Sequence, residues 1–426
     1  MKEMREEKTN NTIFIQIASY RDPQLLPTLR DMLSKADHPE NLRIGICWQH
    51  SKDDSWDNLD EYANDHRFRI IDINYLDSKG VCWARNSVQQ LYDNEKYTMQ
   101  LDSHHRFIEH WDTELIDMIK YLQKKGHSKP LLTGYIPSFD PDNDPQARVM
   151  EPWKMNFDRF IPEGAVFFLP ASFDIWDSKD EPLPARFYSA HFAFTIGEFA
   201  KEVQHDPEYY FHGEEISIAV RAYTHGYDLF HPHKVICWHE YTRKGRKKQW
   251  DDDPTWFKKN DRCHLKNRKL FEMDGEKRDV DFSIYGFGTV RSLRDYEKYS
   301  GLSFNKRAIQ KRVLDHKAPP DPETSDLNDD EFNAKLLQIF KHCIDIQYSQ
   351  VPEDDYDFWA VAFKDHNGND IYRKDADKDE ISRMKNDPDG YCKVWREFQT
   401  DQKPSSWLVW PHSISKGWSD PITGNL

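Results

Sequence analysis

The chain has 426 residues, 31% of them charged, 38% hydrophobic and 14% aromatic, and 59 basic against 74 acidic residues leave a formal charge of −15. That aromatic content excludes a disordered polymer, the acidic balance argues against nucleic acid and anionic membrane surfaces as partners, and no stretch is apolar for the length a bilayer span requires. Residues 1–11 are charged and lack an apolar run, so no signal peptide is expected, and six scattered cysteines without a C-x-x-C pair read as reduced thiols of a cytoplasmic protein.

Residues 12–18 (TIFIQIA) predict a short buried strand. A helix follows over 23–36, with Leu25, Leu26, Leu29, Met32 and Leu33 on one face. Strands are predicted at 43–49, 68–75 and 97–101, and helices at 83–92, entered through Gly80, and at 111–122. This alternation predicts an α/β domain with a mostly parallel sheet and helices on both faces. Further strands are expected at 131–135, 166–169, 187–196 and in pieces over 229–239. A helix over 214–225 is closed by Gly226. Five of the six residues 243–248 are basic, and Asp251, Asp252 and Asp253 follow. The Pro-rich acidic run 318–330 predicts a linker. It separates a domain over 1–317 from a module over 331–426, read as a helix at 332–346 followed by a small β-rich portion.

Five constellations carry possible chemistry. Ser19, Tyr20, Arg21 and Asp22 follow the first strand, at the carboxyl edge where open α/β sheets bind ligands. There Ser19, Arg21 and Asp22 are placed to meet a base, ribose or phosphate, or they form a turn and helix cap. Gly80 to Asn86 puts Arg85 and Asn86 near a helix start, where a nucleotide fits. Asp102-Ser103-His104 directly follows a strand, so a carboxylate and an imidazole two residues apart share one side; with diphosphate oxygens they form a divalent-cation shell, and the histidine shifts the expectation from Mg²⁺ toward Mn²⁺. Glu214 and Glu215 begin a helix, one expected to face a pocket and position a hydroxyl, the other to cap its helix. His239, at another strand end, is the expected third ligand. Zinc-hydrolase spacing such as H-E-x-x-H is absent.

Taken in order, residues 15–23 (IQIASYRDP), 80–86 (GVCWARN), 100–107 (QLDSHHRF), 211–215 (FHGEE), His231-Pro232, 238–240 (WHE) and 285–294 (YGFGTVRSLR) resemble the N-acetylglucosaminyltransferases that modify a hydroxyproline on a cytosolic ubiquitin-ligase subunit, and their bacterial relatives. The resemblance covers roughly residues 12–316. It implies a nucleotide-sugar-binding GT-A fold, a UDP-GlcNAc donor, a divalent metal and retention of anomeric configuration.

The combined expectation is a metal-dependent UDP-sugar glycosyltransferase with Mn²⁺ or Mg²⁺ on Asp102, His104 and His239. Ser19, Arg21, Asp22, Arg85, Asn86 and Asp102 contact the donor, Glu214 and Glu215 act at the transfer centre, and a protein, peptide or glycan serves as acceptor. The alternatives are a sugar-binding protein that has kept the fold without the chemistry, a bacterial polysaccharide glycosyltransferase, and a nucleotide-sugar hydrolase or pyrophosphorylase. The missing Gly-rich N-terminal loop weighs against a pyrophosphorylase.

Overall fold

The computed structural model describes residues 11–173, 180–243, 245–322, 327–385 and 390–426. Lys244 of the basic run and residues 323–326 of the expected linker lie outside the described residues. The described chain forms two compact units, one within 1–307 and 312–327, the other from 308–311 and 328–426.

In the first unit, β1 (Ile13–Tyr20), α1 (Leu25–Lys35), β2 (Leu42–His50), β3 (Phe68–Asn74), α2 (Val81–Gln89), β4 (Tyr97–Leu101), β5 (His105–Phe107), α3 (Trp111–Lys124) and β6 (Pro130–Thr133) follow one another. Then come β7 (Trp153–Phe160), β8 (Val166–Ser172), β9 (Leu183–Pro184), β10 (Phe192–Ile196), α4 (Phe199–Glu202), α5 (Glu214–Thr224), β11 (Asp228–His231), β12 (Cys237–His239), α6 (Gln249–Asp252) and α7 (Trp256–Phe271). The main sheet has the order β3-β2-β1-β4-β10-β6-β11-β9. β3, β2, β1 and β4 run parallel, β10 is antiparallel to β4 and β6, and β11 is parallel to β6. This is the α/β architecture expected of a GT-A domain.

The strands are apolar on both faces because helices cover both. From β1, Ile13, Ile15 and Ile17 pack with Leu25, Leu29 and Met32 of α1 and Leu115 and Ile119 of α3. Phe14, on the opposite face, packs with Ala84 and Val88 of α2. β2 and β4 lie on opposite sides of β1, which creates a crevice at their carboxyl ends. Among the described residues no helix is long and apolar enough to cross a membrane.

The second unit contains α9 (Asp329–Ala334), β13 (Gln338–Gln347), β14 (Tyr356–Lys364), β15 (Asp370–Arg373), β16 (Ala376–Asp377), α10 (Lys378–Met384), β17 (Tyr391–Thr400), β18 (Ser406–Ser413), β19 (Gly417–Trp418) and β20 (Ile422–Asn425), numbered after α8 (Leu293–Ser300) of the first. The expected helix over 332–346 is corrected: the helix ends at Ala334, and β13 pairs with β17 through ten residue pairs. Ile344 and Ile346 are buried while Asp345 and Gln347 are exposed, a period of two that only a strand satisfies. They join Val394, Trp359, Val361, Phe363 and Val409 in one core. The strand expected over 187–196 shortens to β10, since Ser189 bridges back to Phe192 in a tight turn.

Candidate active site

β4 delivers Asp102, Ser103 and His104 to the crevice, and the chain continues directly into β5. β5 pairs with β12 in a register that sets His239 opposite His105. Two segments far apart in sequence are thereby brought to one point. Ligand atoms of Asp102, His104 and His239 all lie within 4.8 Å of one another. Asp102 Oδ2 is 3.5 Å from His239 Nε2 and 3.7 Å from His104 Nε2.

The electrostatics keep Asp102 and His239 in forms able to bind a cation. Burial pushes the Asp102 carboxyl up, but Arg85, His239 and His104 together outweigh it and hold the group well below the usual carboxylate range. Burial drives the His239 imidazole well below its ordinary value, so the ring is neutral. His239 Nδ1 is buried without a hydrogen-bond partner and Nε2 has only the long approach to Asp102 Oδ2, a costly state for polar atoms that suits a cation-binding set. One carboxylate with two imidazoles is a donor set for a divalent first-row metal, Mn²⁺ among them.

The surrounding residues orient this cluster. Arg85 is buried and donates from Nη2 to Asp102 Oδ1 at 2.7 Å, leaving Oδ2 toward the histidines. Its Nη1 reaches Glu214 Oε1 at 3.4 Å. His104 Nδ1 lies 2.7 Å from Asp22 Oδ2, which also accepts from Ser103 Oγ at 2.7 Å. The contact with Asp22 fixes the ring, and its Nε2 faces both Asp102 Oδ2 and the Arg246 guanidinium. Burial raises the Asp22 carboxyl, but His104 and Arg246 hold it below the usual range. Arg246 Nη1 lies 3.1 Å from Asp22 Oδ2 and 2.8 Å from His104 Nε2, so the basic run reaches the cluster. Arg243 lies over Trp250, 5.6 Å from the ring centroid.

Glu214 and Glu215 open α5 after Gly213, whose φ of 104° is a left-handed turn that favours glycine. The expectation that only one would face the pocket is corrected, for both line the same cavity of about 610 Å³ together with Asp102, His104 and His239. Glu215 Oε1 accepts from Ala190 N at 2.9 Å. Burial raises both carboxyls above the ordinary range, and Glu215 adds to the shift at Glu214.

Other expected donor contacts fall elsewhere. Arg21 is not on the cavity wall; its Nε pairs with Asp54 at 2.7 Å, its Nη1 with Asp252 at 3.1 Å, and its guanidinium lies over Tyr75. It therefore anchors α6, just beyond the basic run. Ser19 is buried beside the wall, with its carbonyl accepting from Gln49 Nε2. Asn86 donates to His205 O at 2.8 Å. One residue along a helix is a rotation of about 100°, so while Arg85 faces Asp102, Asn86 faces the loop after α4.

Sequence reasoning missed His191, Tyr135 and Tyr241, all on the cavity wall. His191 stacks on His239 at 4.4 Å, and Tyr241 packs edge-on to it at 4.3 Å. Tyr241 was open to discovery, since it lies two residues beyond His239. His191 is a polar residue inside an apolar run, which by itself marks no chemistry.

The family model described as Glycosyltransferase (GlcNAc) matches residues 12–65 and 57–306. No curated protein sequence matches the chain. Among solved structures, the chain is similar to GalNAc-T7 with UDP, GalNAc and Mn²⁺, at 14% identity and a TM-score of 0.47, covering 67% of this chain and 54% of that one. The chain thus spans about half the length of that protein. S. aureus TarS 1-349 with UDP-GlcNAc is similar at 14% identity and a TM-score of 0.38, covering 63% of this chain and 68% of that one. The mannosyltransferase PcManGT from Pyrobaculum calidifontis, with GDP-Man and Mn²⁺, is similar at 11% identity and 0.36, covering 55% and 58%.

Proposed function

We propose a reaction from one premise: the chain belongs to the Glycosyltransferase (GlcNAc) family. It moves N-acetylglucosamine from UDP-GlcNAc to an acceptor hydroxyl on a protein, peptide or glycan. The observation that carries this reading is the convergence of Asp102, His104 and His239 on the cavity at the carboxyl edge of the sheet. The sequence likeness in the segments around Asp22 and Asp102 makes a hydroxyproline one candidate acceptor. Six cysteines, none of them in a disulfide, are compatible with a cytoplasmic site of action.

Asp102, His104 and His239 would hold Mn²⁺, or Mg²⁺ less well. A cation bound there supplies neutralisation of charge on the departing diphosphate. Arg85 keeps Asp102 ionised and correctly turned, and Asp22 fixes the His104 ring. Arg243, Arg246 and Lys248, all on the cavity wall, cover the diphosphate and exclude water. Glu214 and Glu215, with raised carboxyls, hold donor or acceptor hydroxyls. Transfer proceeds with retention by attack on the face the diphosphate leaves: the acceptor oxygen bonds to the anomeric carbon as the carbon–phosphate-oxygen bond breaks, and a donor phosphate oxygen takes the acceptor proton. Placement and electrostatics supply most of the rate.

The test is product analysis with UDP-GlcNAc, Mn²⁺ and a panel of hydroxyl acceptors. Appearance of UDP with an α-linked product supports the reading, whereas tight sugar-nucleotide binding without turnover identifies a binding protein. Release of UMP identifies a hydrolase of the diphosphate.

A further inference from the structure

In the second unit, Val409, Pro411 and Ser413 of β18 are buried, while Trp410 and His412 point to the opposite, outer face. The register places Phe358 and Trp418 on either side of His412, and Ala360 beside Trp410. Four rings therefore form one continuous surface. His412 stacks on Phe358 at 5.2 Å and 23°, Trp418 meets His412 at 5.0 Å, and the two indoles lie 4.6 Å apart at 40°. Trp410 Nε1 donates to Ser419 O at 2.7 Å, which locks that indole, and Asp357 Oδ1 holds His412 Nδ1 at 2.7 Å. Trp410 is 37% and Trp418 46% exposed, although burial of such rings is among the strongest driving forces available to a fold.

We propose that this face is a binding site for a neutral glycan, with Trp410 and Trp418 as the stacking platform and Asp357 and His412 as hydroxyl partners at its edge. The chemistry selects this occupant in three ways. The axial C–H groups of a pyranose pack on aromatic faces, and its hydroxyls need acceptors such as a carboxylate at the rim. Lys364 of β14, Arg373 of β15 and Lys416 before β19 are each paired with a carboxylate, Asp370, Asp375 and Glu353, and Asp357 stands at the rim, so the surface is not built for phosphate or a polyanion. Finally, three large rings less than half exposed present roughly 300 Å², against about 800 Å² per side for a stable protein partner. A locked, tilted pair of indoles matches one or two sugar units. The transfer reading guides only the choice of probe, because binding here needs neither donor nor metal.

The experiment is calorimetric titration of the full chain, in excess chelator, with the tetrasaccharides of N-acetylglucosamine and of glucose. The expected result is saturable binding of at least one, weakened tenfold or more in Trp418→Ala and in Trp410→Ala, and partly restored in Trp410→Phe. Trp395→Ala, which removes an exposed indole on β17 in the other sheet, should bind as the wild type does. Thermal melts identify any variant that has unfolded, and Trp418→Ala, the more exposed of the pair, then decides. Absence of binding to both probes overturns the proposal, as does unchanged binding in a folded Trp418→Ala. If sedimentation shows that Trp410→Ala and Trp418→Ala turn a dimer into a monomer while sugar binding persists, the face is a contact between copies and the proposal is wrong. Binding here together with no UDP release from UDP-GlcNAc and Mn²⁺ in the product analysis would leave the site standing and the proposed reaction in error.

Discussion

Replacing Arg85 with Met keeps most of the side-chain volume but removes the charge between two carboxylates. Arg85 is only 4% exposed; Asp102, its 2.7 Å partner, is 24% exposed, and Glu214 lies 3.4 Å from the same guanidinium. Removing one partner of a buried pair costs about 3–5 kcal/mol. Solvent at Asp102 places the expected loss near the lower end, about 3 kcal/mol, which corresponds to a fall in melting temperature of roughly 4–5 °C for a unit of about 320 residues. Asp102 would also lose its strongest stabilising charge, so its carboxyl rises and Mn²⁺ affinity falls about 10–100-fold, as for other supports of metal ligands. Urea unfolding followed by circular dichroism gives the first quantity and calorimetric Mn²⁺ titration the second. Arg85→Lys should recover part of each, because an ammonium supplies charge without the two-pronged geometry. An Arg85→Met protein that melts within 1 °C of wild type and binds Mn²⁺ equally well would refute the assignment of Arg85 as the clamp on Asp102.

His239→Ala should weaken Mn²⁺ binding at least tenfold; equal or tighter Mn²⁺ binding in calorimetry, in a protein shown to be folded, would contradict this. Neutralising Arg243 and Arg246 to Gln should raise the donor KM about tenfold, with the effect largest at low salt, as steady-state kinetics at two ionic strengths would show. Glu215→Gln should gain stability relative to wild type as pH rises. Burial lifts the folded-state carboxyl from 4.5 to about 7, so the native state holds a proton that the unfolded chain has lost, and wild-type stability falls across this window; parallel pH–stability curves from chemical denaturation would count against it. Gly80→Ala should destabilise the fold by about 1–3 kcal/mol, because φ at this position is 115° and the new Cβ would lie 2.8 Å from Tyr210 Cδ2; equal urea midpoints would show that the turn relaxes freely.

The first half of the α/β domain was legible because its strands are short apolar runs and its helices have clear one-sided faces, as in Ile13, Ile15 and Ile17 against Leu25, Leu29 and Met32. The Asp102–His104–His239 grouping was legible because Asp102 and His104 directly follow one readable strand and His239 ends another. The partners of Arg21 were not, since Asp252 is more than two hundred residues away and only tertiary packing brings it near. The roles of Arg85 and Asp22 as supports of Asp102 and His104 likewise depend on distances that sequence spacing does not encode. His191 reaches the site through the pairing of β10 with its neighbours. The helix expected over 332–346 failed because polar β13 lies on a solvated sheet, where half of its residues face water and weaken the strand pattern.

The central claim is that Asp102, His104 and His239 form the metal centre of a UDP-GlcNAc transferase. Its most direct test is the Mn²⁺ dependence of UDP release from UDP-GlcNAc in wild type and in Asp102→Ala, read with a coupled UDP assay alongside a thermal melt. Wild-type release should saturate with Mn²⁺ and be abolished by chelator, and a folded Asp102→Ala protein should lose at least 100-fold, on the scale of losing one preorganised electrostatic contact at a transfer centre. Equal UDP release by the two proteins, or wild-type release unaffected by chelator, would contradict it.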